Sequence, residues 1–171
     1  SYISGDCNDI YLQVDSLVLN ATFINCSYDK DTEFIGDASS ELIRKWYYQA
    51  YTNYSNGTAV AGVNISAYNT TGDIQFTTLT NPSGLINRQE VIEYINLNGT
   101  RRYYSNYTIN ATSLGYETDS NTIDFTTTKN KVNDVFTLQG QGLQCGTLDS
   151  ANTIYILSSN VSSNGTCFTV T

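Results

Sequence analysis

The chain has 171 residues, of which 19 are Asn, 23 Thr, 17 Ser and 14 Tyr, against only 8 Lys plus Arg, one Pro, no Met and no His. Without histidine there is no Ser-His-Asp triad, no Cys-His pair and no imidazole ligand for zinc or haem, so most familiar enzyme chemistries are closed. A formal net charge of −8 argues against nucleic acid and against anionic membrane surfaces, both of which are met with Lys and Arg.

Taken in chain order, period-2 runs rich in Thr, Val, Ile, Tyr and Phe dominate: IYLQVDSLVLNATFIN, KWYYQAYTNY, AGVNISAYN, DIQFTTLT, EVIEYINL, NYTINATSL, NTIDFTTT, DVFTL, NTIYILSS and TCFTVT. NG, TG, SG and NPSG pairs and clusters punctuate them as turns. Only DASSELIRK, residues 37–45, reads as a helical turn. The chain is therefore expected to be all-β. No apolar run approaches the ~20 residues of a membrane-spanning helix. A start at Ser1 with no Met fits a secreted product whose signal peptide has been removed.

Eleven asparagines head an N-glycosylation sequon: Asn20, Asn25, Asn53, Asn56, Asn64, Asn69, Asn98, Asn106, Asn110, Asn160 and Asn164, while Asn81 is spoiled by Pro82. The Ser and Thr content would produce roughly 4 to 5 by chance, so the excess is more than twofold. N-linked glycans add solubility without charge, which suits a surface so poor in Lys, Arg, Asp and Glu. The four cysteines allow three connectivities. Their clustering favours Cys7 with Cys26 and Cys145 with Cys167, each loop contributing ~3 kcal/mol in the chain-entropy model. Neither pair has CxxC spacing, so a metal site is not expected. Sequons and oxidised cysteines place the protein outside the cell or on its surface.

Charge divides the chain. Of 24 charged residues, 20 lie between Asp29 and Asp134, and the flanks carry only Asp6, Asp9, Asp15 and Asp149. Three segments follow: 1–43, 44–138 and 139–171. In the middle one, GTAVAGVNISAYNTTGDIQFTTLTNPSGLI, NGTRRYYSNYTINATSLGYE and the closing DVFTL resemble the carboxypeptidase regulatory-like or Cna B-like module. That resemblance covers roughly 95 residues and implies a prealbumin-type, Ig-like β-sandwich acting as a rigid spacer or assembly unit with no active site. Some members form a Lys-Asn isopeptide bond beside a carboxylate. Lys45, Asn133 and Glu93 could be placed that way, but the family's signature sequence is absent.

The flanks resemble another architecture. SLVLNATFINCSYDKDTEFIGDASSELIRKWYY reads like the closing rungs of a right-handed parallel β-helix, and LQCGTLDSANTIYILSSNVSSNGTCFTVT like an opening rung. The cysteine spacings are close to one coil of ~20 residues, so each disulfide could lock one turn. A single rung leaves unpaired N–H and C=O groups, and nothing charged blunts the last strand, where Thr166, Phe168 and Val170 alternate as candidate assembly residues. The expectation is an Ig-like sandwich flanked by partial β-helix or strand-exchange segments, working as a filament subunit whose partner is itself. The competing expectation is a spacer or adhesion module of a larger cell-surface or S-layer-like protein. Dense sequons on a low-lysine, disulfide-stapled chain point to an archaeal surface.

Other chemistries read weakly. Paired carboxylates could hydrolyse a glycosidic bond, but Asp29, Asp31 and Glu33, or Glu90 and Glu93, read as a solvated acidic loop and a polar strand face, and no enzyme is expected. DKDTE offers alternating oxygens to Ca²⁺ yet lacks the glycine and ligand spacing of an EF-hand. No cofactor other than N-linked glycans is expected, with Ca²⁺ at DKDTE as the open alternative. Trp46, Tyr47, Tyr48 and Tyr51, with Arg101, Arg102, Tyr103, Tyr104 and Tyr107, could stack on host or cell-surface glycans or on a neighbouring subunit, although strand alternation sends about half of those rings inward.

Overall fold

A computed structural model describes residues 2–3, 10–12, 20–36, 38–140, 146–148, 150, 165 and 167–170. The protein is all-β. In chain order the strands are β1 (Tyr2–Ile3), β2 (Ile10–Leu12), β3 (Asn20–Ile24), β4 (Glu33–Ile35), β5 (Glu41–Tyr54), β6 (Asn64–Tyr68), β7 (Ile74–Leu79), β8 (Gln89–Leu97), β9 (Thr100–Tyr103), β10 (Tyr107–Thr112), β11 (Asp119–Ile123), β12 (Lys131–Leu138), β13 (Gly146–Leu148) and β14 (Phe168–Val170). A 3₁₀ turn over Lys30–Thr32 and the four-residue α1 (Phe125–Thr128) are the helical elements among the described residues.

β5 organises the molecule. Its even-numbered residues from Leu42 to Thr52 are all buried and its odd-numbered ones half-exposed, the period-2 signature of a strand with one face on a core. Sheet order β12-β5-β8-β9 forms one layer and β11-β10-β6-β7 the other. Trp46, Tyr48 and Ala50 of β5 meet Ile65, Ala67, Ile109, Ala111 and Ile123 of the second sheet, with Phe125 and Phe136, in one continuous core. Burying rings of this size dominates the energetics of such a sandwich.

The first turn of β5 belongs to a second unit. β3 pairs in parallel with it, Asn20 opposite Glu41 through Ile24 opposite Lys45, 21 positions apart. In the neighbouring sheet, ordered β1-β2-β4, β2 pairs in parallel with β4, Ile10 opposite Glu33, 23 positions apart. Strands of the two sheets thus alternate along the chain and each stacks on its counterpart one circuit later. Ile10, Leu12, Tyr28 and Ile35 cover Leu42 of β5 and Tyr94 of β8, making a separate small core. β1 closes the outer side of β2 in antiparallel fashion. At the other end β13 pairs in parallel with β14, Gly146 opposite Phe168, 22 positions apart.

Two expectations are corrected. Residues 41–45 of the supposed helical turn are strand, because β3 and β8 supply ladder partners on both sides and ELIRK alternates half-exposed and buried residues. The end of NTIDFTTT leaves the sheet instead: Asp124 accepts from the Thr126 N–H at 2.9 Å and caps α1, the local bonding by which Asp competes with ladders. β5 itself runs unbroken through positions 43 and 44.

Candidate functional site

Among the described residues, a dense polar cluster centred on Glu33 joins the N-terminal coil to the sandwich. β4 brings Glu33 under the ends of β8 and β9, where its side chain is fully enclosed. Tyr28 Oη donates to Glu33 Oε1 at 2.7 Å, and Tyr94 Oη donates to the same oxygen. Asn96 Nδ2 at 2.7 Å and Arg101 Nε at 2.9 Å donate to Oε2. Four donors thus satisfy the carboxylate, and Arg101 also reaches the carbonyl of Lys30. Burial is the main force pushing Tyr94 up to about 12 and Tyr28 higher still, reinforced for both by the Glu33 charge. Neither phenol ionises near neutral pH. This cluster clamps one structural unit to another, and the reading of Glu33 as part of a solvated acidic loop is corrected.

Beside it, Arg44 is buried with its guanidinium 4.6 Å from the Tyr28 ring centre and 4.9 Å from that of Trp46. Its Nε lies 3.2 Å from Glu93 Oε2, a charge pair without hydrogen-bond alignment. Trp46 Nε1 donates to that same carboxylate oxygen. Burial holds the Glu93 carboxyl above its ordinary range, outweighing the Trp46 bond and Arg44.

The remaining candidates fall apart rather than together. Glu90 pairs with Lys45 at 3.2 Å on the outer face, away from Glu93, so the hydrolytic pair does not form. Lys45 is therefore committed to Glu90, Glu93 to Arg44 and Trp46, and Asn133 is exposed on β12, which leaves an isopeptide triad unassembled. Asp29 Oδ1 accepts from the Asp31 N–H at 3.0 Å, capping its own turn, while Asp31 pairs with Lys30 at 3.2 Å. Among the aromatics, Trp46, Tyr48 and Tyr107 are in the core and half-buried Tyr104 packs against it with Arg102 over its ring at 5.2 Å, whereas Tyr47 lies under Arg88 at 5.0 Å.

The sequons occupy varied settings. Asn20, Asn25, Asn56, Asn98 and Asn106 are exposed, and Asn53, Asn64 and Asn110 are half-buried. Asn69 is buried, its Oδ1 accepting from the Thr71 and Asp73 N–H groups at 3.0 and 2.9 Å, so this side chain builds its own turn. Asn160 and Asn164 lie outside the described residues, as do Cys7, Cys145 and Thr166. Cys26 and Cys167 are each disulfide-bonded rather than free. Phe168 and Val170 lie on β14, already paired on one side by β13.

Two exposed features were not legible as sites. Tyr11 of β2 and Phe34 of β4 stack with ring centres 4.7 Å apart and planes at 11°, and nearly half of each side chain is open to solvent. Only the parallel register of Tyr11 on Phe34 brings them together. The second is an open groove beside the β8–β9 turn, lined in part by Leu97, Asn98 and Arg102.

No family model matches the chain, and no curated protein matches it. Among solved structures it is similar to the TIE protein of Bacillus anthracis, with TM-score 0.42 and 11% identity over 63% of this chain and 19% of that one. It is similar also to the major pilin subunit of Bacillus cereus, with TM-score 0.40 and 16% identity over 57% and 29%. Catechol 1,2-dioxygenase from Pseudomonas arvilla C-1 gives TM-score 0.39 and 12% identity over 79% and 62%. The chain spans less than two thirds of the length of each. No helix among the described residues is long and apolar enough to cross a membrane.

Proposed function

We propose that the chain is a structural, non-enzymatic subunit of an extracellular, N-glycosylated filament, polymerising head to tail between the C-terminal segment of one copy and the N-terminal segment of the next. The observation that carries this reading is the common repeat at the two ends: parallel partners lie 21 and 23 positions apart in the N-terminal unit and 22 apart in β13–β14. Strands of nearly equal repeat, all three pairs parallel, can continue one another's ladders as rungs of a right-handed β-helix do, and such repeats gain stability from their neighbours. Among the described residues β3 pairs with β5 alone and β14 with β13 alone, and in this reading the other side of each takes the strand of the neighbouring copy. Such a contact is heterologous and grows into an open fibre unless rotation closes it. Disulfides Cys7–Cys26 and Cys145–Cys167 would each fix one circuit. The sandwich would then set the spacing between rungs, and the glycans would cover its surface.

The test is negative-stain microscopy and sedimentation of the secreted protein, with intact mass. Fibres built from a glycosylated protomer support the reading. A species that stays monomeric at high concentration overturns it in favour of a spacer or adhesion module in a larger cell-surface protein, whose rungs are completed in cis.

A further inference from the structure

The outer side of the β8–β9 hairpin carries an open groove of about 580 Å³, within the ~300–1,000 Å³ of ordinary ligand sites. Ile95, Leu97 and Tyr104 supply its apolar lining, Arg102 and Glu41 its charges, and Asn98 part of its wall. Leu97 is 46% exposed, a large aliphatic surface left to water at a hairpin tip. The Arg102 guanidinium lies over the Tyr104 ring at 5.2 Å, and Tyr104 packs in turn against the sandwich core. Asn98 and Gly99 form the two-residue turn, with φ of 48° and 80°, the left-handed pair that an Asn-Gly hairpin adopts.

Asn98-Gly99-Thr100 is also a sequon. The acceptor residue is therefore a wall of the groove, and a sugar attached to it begins inside. Pyranose rings present C–H faces to aliphatic and aromatic side chains and hydroxyls to charged ones, and this groove offers both kinds of partner side by side. A covalent tether supplies an effective concentration of order mM, so weak contacts suffice to keep the groove filled.

We propose that the groove is the seat of an N-linked glycan carried by Asn98, whose first sugars lie over Leu97 and Tyr104 and hydrogen-bond to Arg102 and Glu41. This rests on the reading of the chain as a secreted glycoprotein, but not on filament formation. Asn56 supplies the comparison: it is exposed at the turn after β5, where its own Oδ1 caps the Thr58 N–H at 3.0 Å.

The experiment uses the secreted full chain. Glycopeptide mass spectrometry reports occupancy at Asn98 and Asn56, and Asn98→Gln, Thr100→Ala and Thr58→Ala are compared for Tm and for the rate at which phenylglyoxal modifies Arg102. Thr100→Ala removes the sequon while keeping Asn98 in its left-handed turn, which separates loss of sugar from strain in the hairpin. Both groove variants are expected to lower Tm by about 2–4 °C and to raise Arg102 reactivity several-fold, with Thr58→Ala, which removes the Asn56 sequon but keeps the Asn56 cap, changing neither. An unoccupied Asn98 beside an occupied Asn56 overturns this inference alone, and absence of sugar at every sequon overturns the glycoprotein reading with it. Variants that lose the sugar without changing Arg102 reactivity overturn the seat. Protection of Arg102 that follows protein concentration rather than glycosylation would assign the groove to a second copy and overturn it as well.

Discussion

Tyr94 on β8 donates its phenolic hydrogen to Glu33 on β4, 61 residues away in the chain, and thereby fastens the N-terminal coil to the sandwich. Three further donors, from Tyr28, Asn96 and Arg101, converge on the same carboxylate. Removing an acceptor of this kind strands its donors, which costs more than the bonds themselves contribute. Glu33→Ala is therefore expected to destabilise the protein by about 3 kcal/mol in urea unfolding, and Tyr94→Phe by about 1 kcal/mol. Limited proteolysis of Glu33→Ala should cut first around residues 25–36, with the sandwich strands protected. Equal protection of both regions would mean that the clamp does not hold the coil.

The sandwich was legible because its signal is local. Alternation in KWYYQAYTNY identifies a half-buried strand before any partner is known, and the even-numbered residues of β5 are buried as that pattern requires. Glu33 was not legible, since its burial depends on β2 stacking beneath β4 and on donors arriving from strands more than 60 residues later. The sequence DKDTEF reads as a solvated loop until those partners exist. The strand over 41–45 was hidden for the same reason, because its ladder partners come from β3 and β8. The stacking of Tyr11 on Phe34 follows from register, which spacing of cysteines hints at but does not fix.

Gly84 gives a sharper test of the turn between β7 and β8. Its φ is +75°, and a Cβ there would stand 2.5 Å from the carbonyl oxygen of Thr52, an oxygen that cannot swing aside because it accepts from the Val60 N–H at 3.0 Å. Asn81 shapes the same turn, its Oδ1 accepting from the Ser83 and Leu85 N–H groups at 2.9 and 3.1 Å. A left-handed conformation alone costs a residue with Cβ about 1–2 kcal/mol, and the collision adds to it. Gly84→Ala is expected to lose about 2 kcal/mol or more in denaturant unfolding, whereas Gly57→Ala, with positive φ but open space around it, should lose only the conformational part. Equal losses would show that the contact with Thr52 relaxes freely.

Asp134 makes stability depend on pH in a definite direction. Burial raises its carboxyl above the ordinary range, against the opposing bonds from Tyr48 Oη at 2.8 Å and Asn121 Nδ2 at 2.9 Å. A raised acid binds its proton more tightly folded than unfolded. Its contribution is complete below the unfolded pKa near ~4 and is lost as pH rises through the higher folded value. Glu93, raised by its own burial, acts in the same sense. Asp73 and Asp124 are lowered by hydrogen bonds, chiefly from Thr71 and Thr126, and act oppositely. Asp134→Asn should therefore gain on the native protein as pH rises from 4 to 7, when midpoints of urea unfolding are compared across that range. A constant difference between the two proteins would mean that Asp134 titrates alike in both states.

Assembly can be tested at the strand edge rather than by deleting an end. β3 carries no charge and no proline, and Thr22 is exposed on it opposite Ile43. Among the described residues no strand pairs with the outer side of β3, and an edge lysine is one of the natural blocks to strand addition. Asn20 stands on the same outward row and Thr22 completes its sequon, so Asn20→Gln, which removes the sugar alone and is expected to keep fibres, is the control. β7, at the edge of the sandwich, is the fair competitor: Ile74 and Leu79 are each 62% exposed and it too is uncharged. Thr22→Lys is expected to abolish fibres while changing monomer stability by no more than about 0.5 kcal/mol, and Leu79→Lys to leave fibre length unchanged in micrographs. Fibres that survive Thr22→Lys and vanish with Leu79→Lys would move the junction from the coil to the sandwich, because only the blocked edge can lose its partner.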